Sequence, residues 1–258
     1  ELKDFSVSPS SIKEALVLNA VKSRAITIRN TGNTVLEFSL DVATIQDMVL
    51  LSGTGFSLSK GEEKTIEANI IGKKLGSYIG EIKIEAGGII KSISVVIDVE
   101  SEQALFDAKM DIPTAYKEVL PGDELKTQIT LLNVGPPRKV DVTTTYIIKD
   151  SKGNVVHESS ETFAVEKQTS FVKSFKIPEY LEPGDYLAIV EVRYENSFAV
   201  SSELFKVVSE KPSVQQIAKS RPLTFIFAIF IAFVFLFAYM LLPKARFSKK
   251  IVKRRKRK

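Results

Sequence analysis

The sequence predicts an all-β fold: two tandem β-sandwiches followed by a single transmembrane α-helix. Three observations carry this expectation. Short alternating runs separated by Gly, Pro, Asn and Asp fill residues 1–210. The pattern of those runs recurs once along the chain. A long apolar stretch then stands directly before a dense run of cations.

The strands come first. "VLEFSLDV" places Leu36, Phe38, Leu40 and Val42 on one face, with Glu37, Ser39 and Asp41 on the other. "SISVVIDV" does the same with Ile93, Val95, Ile97 and Val99, and "YLAIVEVRY" with Tyr186, Ala188, Val190, Val192 and Tyr194. Period two with β-branched residues means half-buried antiparallel strands. No stretch before residue 210 sustains a stripe of period 3.6. The repeat is weaker but consistent. "SRAITIRNTGN" (23–33) corresponds to "KTQITLLNVGP" (126–136), each a strand that ends in Asn-X-Gly. "SLSKGEEKTIEANI" and "VLPGDELKTQITL" each enter a strand from a glycine turn, and "KKLGSYIGEIKIEAG" matches "LEPGDYLAIVEVRYEN", Gly-X-Tyr opening a long strand. Glycine supplies the positive φ that such turns need, and Pro-Gly presets a type II turn. About seven strands per hundred residues, with turn signals every 8–12, read as a sandwich. The expected units are residues 1–100 and 104–209, each large enough for a core without cross-links. The short charged join "DVESEQALFDAKM" predicts sandwiches strung end to end with limited bending.

These turn motifs resemble the immunoglobulin-like modules of prokaryotic surface proteins, in particular the cell-adhesion-related domain of bacteria and archaea (CARDB) and the NPCBM-associated sandwich domain. "ITIRNTGN", "LSKGEEKTIEANI" and "GSYIGEIKIEA" carry the resemblance in the first unit, and "ITLLNVGPP", "VLPGDEL" and "PGDYLAIVEV" in the second. The first unit departs from it at Lys60-Gly61, where Pro-Gly is usual, and in the insertion "IQDMVLLSGTGF" (45–56). Antibody-type domains are excluded in their usual form, because the chain has neither Trp nor Cys. The resemblance implies immunoglobulin-like folds and a role in adhesion, spacing or assembly at a cell surface, without catalysis.

Residues 210–221, "EKPSVQQIAKSR", read as a stalk of at most about 40 Å. "LTFIFAIFIAFVFLFAYMLL" follows, within an expected span of 222–242. Twenty helical residues cover about 30 Å, the thickness of a bilayer's hydrocarbon core. Fourteen of the twenty are Leu, Ile, Phe or Val, each worth roughly −0.3 to −0.6 kcal/mol at mid-membrane. Behind the span, residues 243–258 hold Lys244, Arg246, Lys249, Lys250, Lys253, Arg254, Arg255, Lys256, Arg257 and Lys258, and no acid. Only Lys211, Lys219 and Arg221 stand near the other end, so the positive-inside rule predicts a cytoplasmic tail and external residues 1–221. The tail suits anionic lipid headgroups. It has one aromatic residue among its cations, Phe247, so sequence-specific nucleic acid is not an expected partner. The formal charge of +5 belongs to this tail: thirteen of the 36 Lys and Arg follow Glu210, whereas all 31 acids precede Lys211. The outer part is acidic. A chain beginning at Glu1 without an apolar leader is expected to have lost a secretory signal, or to be given without one. An external chain without cysteine fits a prokaryotic surface better than an animal one.

No catalytic constellation is legible. His157 is the only histidine and no cysteine exists, so Ser-His-Asp machinery would have to be built on this one residue, which reads as an exposed histidine on a strand. "KDSKGN" sets Asp150 and Asn154 four apart, but Lys152 and Gly153 break the calcium-loop pattern, leaving a hairpin turn. The acid pairs Glu62–Glu63, Asp123–Glu124 and Glu182/Asp185 lie in turns. No cofactor is expected, and no P-loop or dinucleotide-binding pattern is present. The insertion offers an apolar set, Met48, Val49, Leu50, Leu51 and Phe56, around a Gly-Thr-Gly loop. It reads either as a buried strand and turn or as a loop that docks a partner. The expected function is a membrane-anchored, non-enzymatic surface protein binding a protein or glycan outside. The alternative is an accessory subunit of a membrane-embedded secretion, translocation or surface-filament complex.

Overall fold

In the computed structural model, which describes residues 1–135 and 138–210, the strands build four sheets that pair into two sandwiches. The first sandwich uses β1 (Phe5–Ser8), β2 (Ser11–Val17), β3 (Val21–Asn30), β4 (Leu36–Ala43), β5 (Val49–Leu51), β6 (Gly55–Leu58), β7 (Glu63–Ile71), β8 (Gly76–Ala86) and β9 (Ile89–Glu100). Its sheets run β1-β3-β7-β5 and β2-β9-β8-β4-β6. The second uses β10 (Phe106–Asp111), β11 (Glu118–Val119), β12 (Glu124–Asn133), β13 (Val140–Asp150), β14 (Val155–Val165), β15 (Gln168–Lys176), β16 (Gly184–Tyr194) and β17 (Ser197–Val207). Its sheets run β10-β12-β15 and β11-β17-β16-β13-β14.

The two follow one plan. In each, the opening segment pairs antiparallel with one sheet, then crosses to pair parallel with the last strand of the other (β2 with β9, β11 with β17). The alternation places the side chains as the sequence predicts. Leu36, Phe38 and Leu40 are buried, as are Ile93, Val95, Ile97 and Val99, while Glu37, Ser39 and Asp41 face out. Tyr186, Ala188, Val190 and Val192 enter the second core. The all-β reading therefore agrees with the structure. Among the described residues no helix is long and apolar enough to cross a membrane, and the expected span 222–242 lies outside them.

The repeated motifs have physical roles. Asn30 ends β3, and its side chain donates to the carbonyls of Thr34 (2.8 Å) and Leu58 (2.9 Å) while accepting from the Gly32 amide (2.9 Å). Asn133 ends β12 and repeats this with Arg138, Glu166 and the Gly135 amide. A Cβ at Gly32 would come within 2.5 Å of the Leu2 carbonyl, so this glycine permits the opening segment to lie close. Positive φ is needed instead at Gly61 (77°) and Gly122 (84°), in the turns entering β7 and β12. The Gly-X-Tyr motifs place Tyr78 and Tyr186 where each hydroxyl donates back to a backbone carbonyl, Leu75 at 3.0 Å and Glu182 at 2.9 Å. A tyrosine at the start of such a strand pins the preceding corner.

One expectation is corrected. The sandwiches are not strung end to end; they pack by sheet faces into one compact unit, Glu1–Lys211. The reason lies on the outward faces of five strands. Val96 on β9, Ile79 on β8, Ile147 on β13, Leu187 and Ile189 on β16, and Phe198 and Val200 on β17 are buried apolar residues that belong to neither internal core. They must cover one another.

Candidate functional site at the seam between the sandwiches

The seam gathers three titratable groups that burial shifts, Asp98, Glu100 and Lys149. Full burial of an aliphatic or Phe side chain is worth about 1.5–3 kcal/mol, against about 1 for a net hydrogen bond. The apolar cluster therefore holds the seam, and the polar groups fix its register. Asp98 is 3% exposed at its centre. Its carboxylate accepts from the Ser77 hydroxyl of the first sandwich and from the Ser202 hydroxyl of the second (2.7 Å). Lys13 reaches the Ser202 carbonyl and pairs with Glu203 at 3.0 Å. Lys149 donates to the Ser77 carbonyl (2.7 Å) and stands 5.5 Å from the Tyr78 ring. The Val200 amide donates to Glu100 (3.1 Å). The join is stitched as well: Ser101 and Phe198 exchange bonds, the Ser101 amide and hydroxyl donating to the Phe198 carbonyl and the Phe198 amide to the Ser101 hydroxyl.

Burial pushes the Asp98 carboxyl above the usual carboxylate range, against the hydrogen bonds from Ser77 and Ser202 and the charge of Lys13. It pushes Glu100 the same way and the Lys149 ammonium down. At the rim of the seam a cleft of about 300 Å³ is lined by Glu81, Ser92 and Ser94 of one sandwich and Ser151 and Asp185 of the other. Such a constellation joins two bodies at a fixed angle and offers polar groups at the rim. It presents no aligned nucleophile and base.

The residues singled out by sequence fall elsewhere. The insertion residues do not form one docking loop. Met48 and Val49 are 3% and 2% exposed in the first core, and Leu51 packs against that core. Phe56 stacks on Phe38 at 5.2 Å beneath Lys64. Leu50 alone faces out, at 55% exposure. Strand periodicity explains this, since β5 pairs with β7 and turns alternate residues inward. His157 sits on β14 edge-on to Phe175. The Asp150 carboxylate is taken up by the amides of Lys152 and Asn154 and by the Asn154 side chain, which makes "KDSKGN" a hairpin turn. Among the described residues no three His, Asp or Glu side chains converge as metal ligands. The ten tail cations, Lys244 to Lys258, lie outside the described residues. The sequence signal for the seam is Val96, Leu187 and Ile189, apolar residues on the strand faces opposite those that fill the cores.

Two carboxylates bridge sheets within the sandwiches. Glu14, buried, takes Arg24 and Lys22 (3.1 Å) from β3; burial pushes its carboxyl up, but the hydrogen bonds and charges of these cations outweigh it and hold the group below the ordinary range. Glu161 on β14 accepts from the Tyr146 hydroxyl (2.5 Å) and from Lys173 on β15 (3.1 Å), which hold its carboxyl down; burial and Glu161 together push the Tyr146 hydroxyl up.

No family model and no curated protein matches the chain. Among solved structures it is similar to a Porphyromonas gingivalis protein of unknown function, 14% identical over 79% of this chain and 97% of that one, with a TM-score of 0.40. It is also similar to a chain of a chaperone–tip adhesin complex of CFA/I fimbriae biogenesis (13%, 80% and 99%, TM-score 0.33). A third is a chain of the CsuC–CsuE chaperone–tip adhesion subunit complex of Acinetobacter baumannii pili (13%, 65% and 89%, TM-score 0.31). At these scores the description of the fold rests on the strand order itself.

Proposed function

We propose that this chain is a membrane-anchored, non-enzymatic binding protein whose two immunoglobulin-like sandwiches act outside the cell as one docked unit. Residues 223–242 span the bilayer in this reading, and the ten cations from Lys244 to Lys258 stay cytoplasmic against anionic headgroups. The observation that carries the binding role is the seam. A buried apolar cluster with Asp98 bonded from both sides fixes the two sandwiches to each other, as suits a module that holds a partner at a set distance and angle. The partner is a protein or glycan, and the resemblance to CARDB-like surface modules supports this choice.

The test has two arms. Protease added to intact cells should remove residues 1–210 and spare the tail. The native protein, solubilised in mild detergent, should then be captured. A single-span protein that binds neighbouring cells or glycan supports the reading. Stoichiometric recovery of multi-span subunits replaces it with an accessory role in a membrane complex, and a chain that stays in the aqueous fraction without detergent overturns the anchor.

A further inference from the structure

The two buried carboxylates among the described residues are neutralised differently. Glu14 has two cations directly upon it. Asp98 has hydroxyls, and the neighbouring cations are engaged by other oxygens: Lys13 of β2 by Glu203 and the Ser202 carbonyl, Lys149 of β13 by the Ser77 carbonyl. The acids about the seam are Glu100 at the end of β9 with Asp107 of β10 near it, Glu191 on β16 and Glu203 on β17; the other cations are held away from Asp98, Arg193 by Glu191 (3.0 Å), Lys117 by Glu203 (3.7 Å) and Lys74 on the side of Lys149. A negative charge at Asp98 is thus held in a buried interface by the Ser77 and Ser202 hydroxyls and the Ser202 amide, with no ion pair of its own among the described residues.

We propose that the seam is a proton-controlled latch: the sandwiches dock tightly when Asp98 carries a proton, and ionisation of Asp98 loosens them. When the seam opens, Asp98 regains water and the ordinary proton affinity of a carboxylate, about 3.9. When it closes, burial favours the neutral form, and the hydrogen bonds and the Lys13 charge recover only part of that cost. Closing therefore takes up a proton. The docking contribution is full below the ordinary value and is lost as pH rises through the raised value of the docked state. Glu100 acts in the same sense. Lys149, pushed down by burial, acts in the opposite sense at alkaline pH, so the effect is read from acid to neutral pH.

Because the chain has no cysteine, Glu67→Cys on β7 and Val172→Cys on β15, both exposed, place one spin label on each sandwich of the full chain in detergent. We expect one narrow inter-label distance near pH 4.5, on the order of the ordinary carboxylate range, and a second, broader population that grows several-fold by about pH 7.5. Asp98→Asn should give the narrow distance at both pH values. Ser202→Ala, which removes a bond to the ionised form, should move the transition to higher pH. Melting is the second measurement: at neutral pH Asp98→Asn should melt no lower than the parent. A pH-independent distance in the parent, an unchanged midpoint in Asp98→Asn, or a lowered melting temperature for it overturns the latch. None of these outcomes depends on which partner is bound or on which side of a membrane the sandwiches lie.

Discussion

The two sandwiches share a strand plan but close their open sides by different means. In the first, the chain leaves β4, adds β5 to the edge of β7, then crosses through Ser52-Gly53-Thr54 to add β6 to the edge of β4. Backbone seals that side, with Met48 and Val49 beneath it. The second has no such insertion. β14 stays beside β13, and the side is spanned by side chains: the aromatic pairs Phe163–Phe171 and His157–Phe175, and the bridge from Tyr146 to Glu161 to Lys173, with the Lys173 ammonium 4.2 Å from the Tyr146 ring. Lys173 also points inward from an edge strand, a charge that discourages pairing with another chain. One sandwich spends residues on its edge, and the other joins aromatic contacts to an ionic bridge that water and protons can reach.

The largest test of this difference is Val49→Asp. A charge forced under the β5 edge should destabilise the first sandwich by about 4 kcal/mol, whereas Leu50→Asp, one residue on and exposed, should stay within about 0.5. Thermal melting of the two variants decides it, and equal effects would remove β5 from its place. Next come the asparagine clamps. Asn30 is fully buried, so Asn30→Ala strands the Leu58 and Thr34 carbonyls at about 2–3 kcal/mol. Asn133 is half-buried, and Asn133→Ala should cost about 1. Denaturant midpoints would show whether that order holds. The smallest effect is the pH dependence of the side-chain bridge. Tyr146 and Lys173 hold the Glu161 carboxyl below its ordinary value, so its contribution is present above that value and lost as pH falls through the lowered one. Glu161→Gln should flatten the acid limb of the second sandwich's melting curve and cost under about 1 kcal/mol at neutral pH. A steepened limb would contradict the bridge.

Most of the strand plan was legible because it depends on local rules. Alternation fixes which face each residue takes, and Gly61 and Gly122 stand where the turns need positive φ. The Asn-X-Gly repeat was visible too, but its reason was not, since Gly32 acts through close approach to Leu2, a neighbour remote in sequence. The insertion looked like a patch because apolar residues in a row reveal amount and not direction, and pairing with β7 supplied the direction. The seam was the least legible part. Its residues are apolar on the faces opposite those that fill the cores, and whether such a face meets another sandwich is decided by long-range geometry that alternation does not encode.

The parallel pairing of β2 with β9 and of β11 with β17 has a mechanical consequence. When neighbouring parallel strands are drawn apart from opposite ends, they slide along each other, and their hydrogen bonds bear the load together rather than unzipping one by one. β2 and β9 share seven residue pairs in this arrangement, β11 and β17 only two. Tension along the chain therefore meets a strong clasp in the first sandwich and a weak one in the second, which sets the order in which they give way.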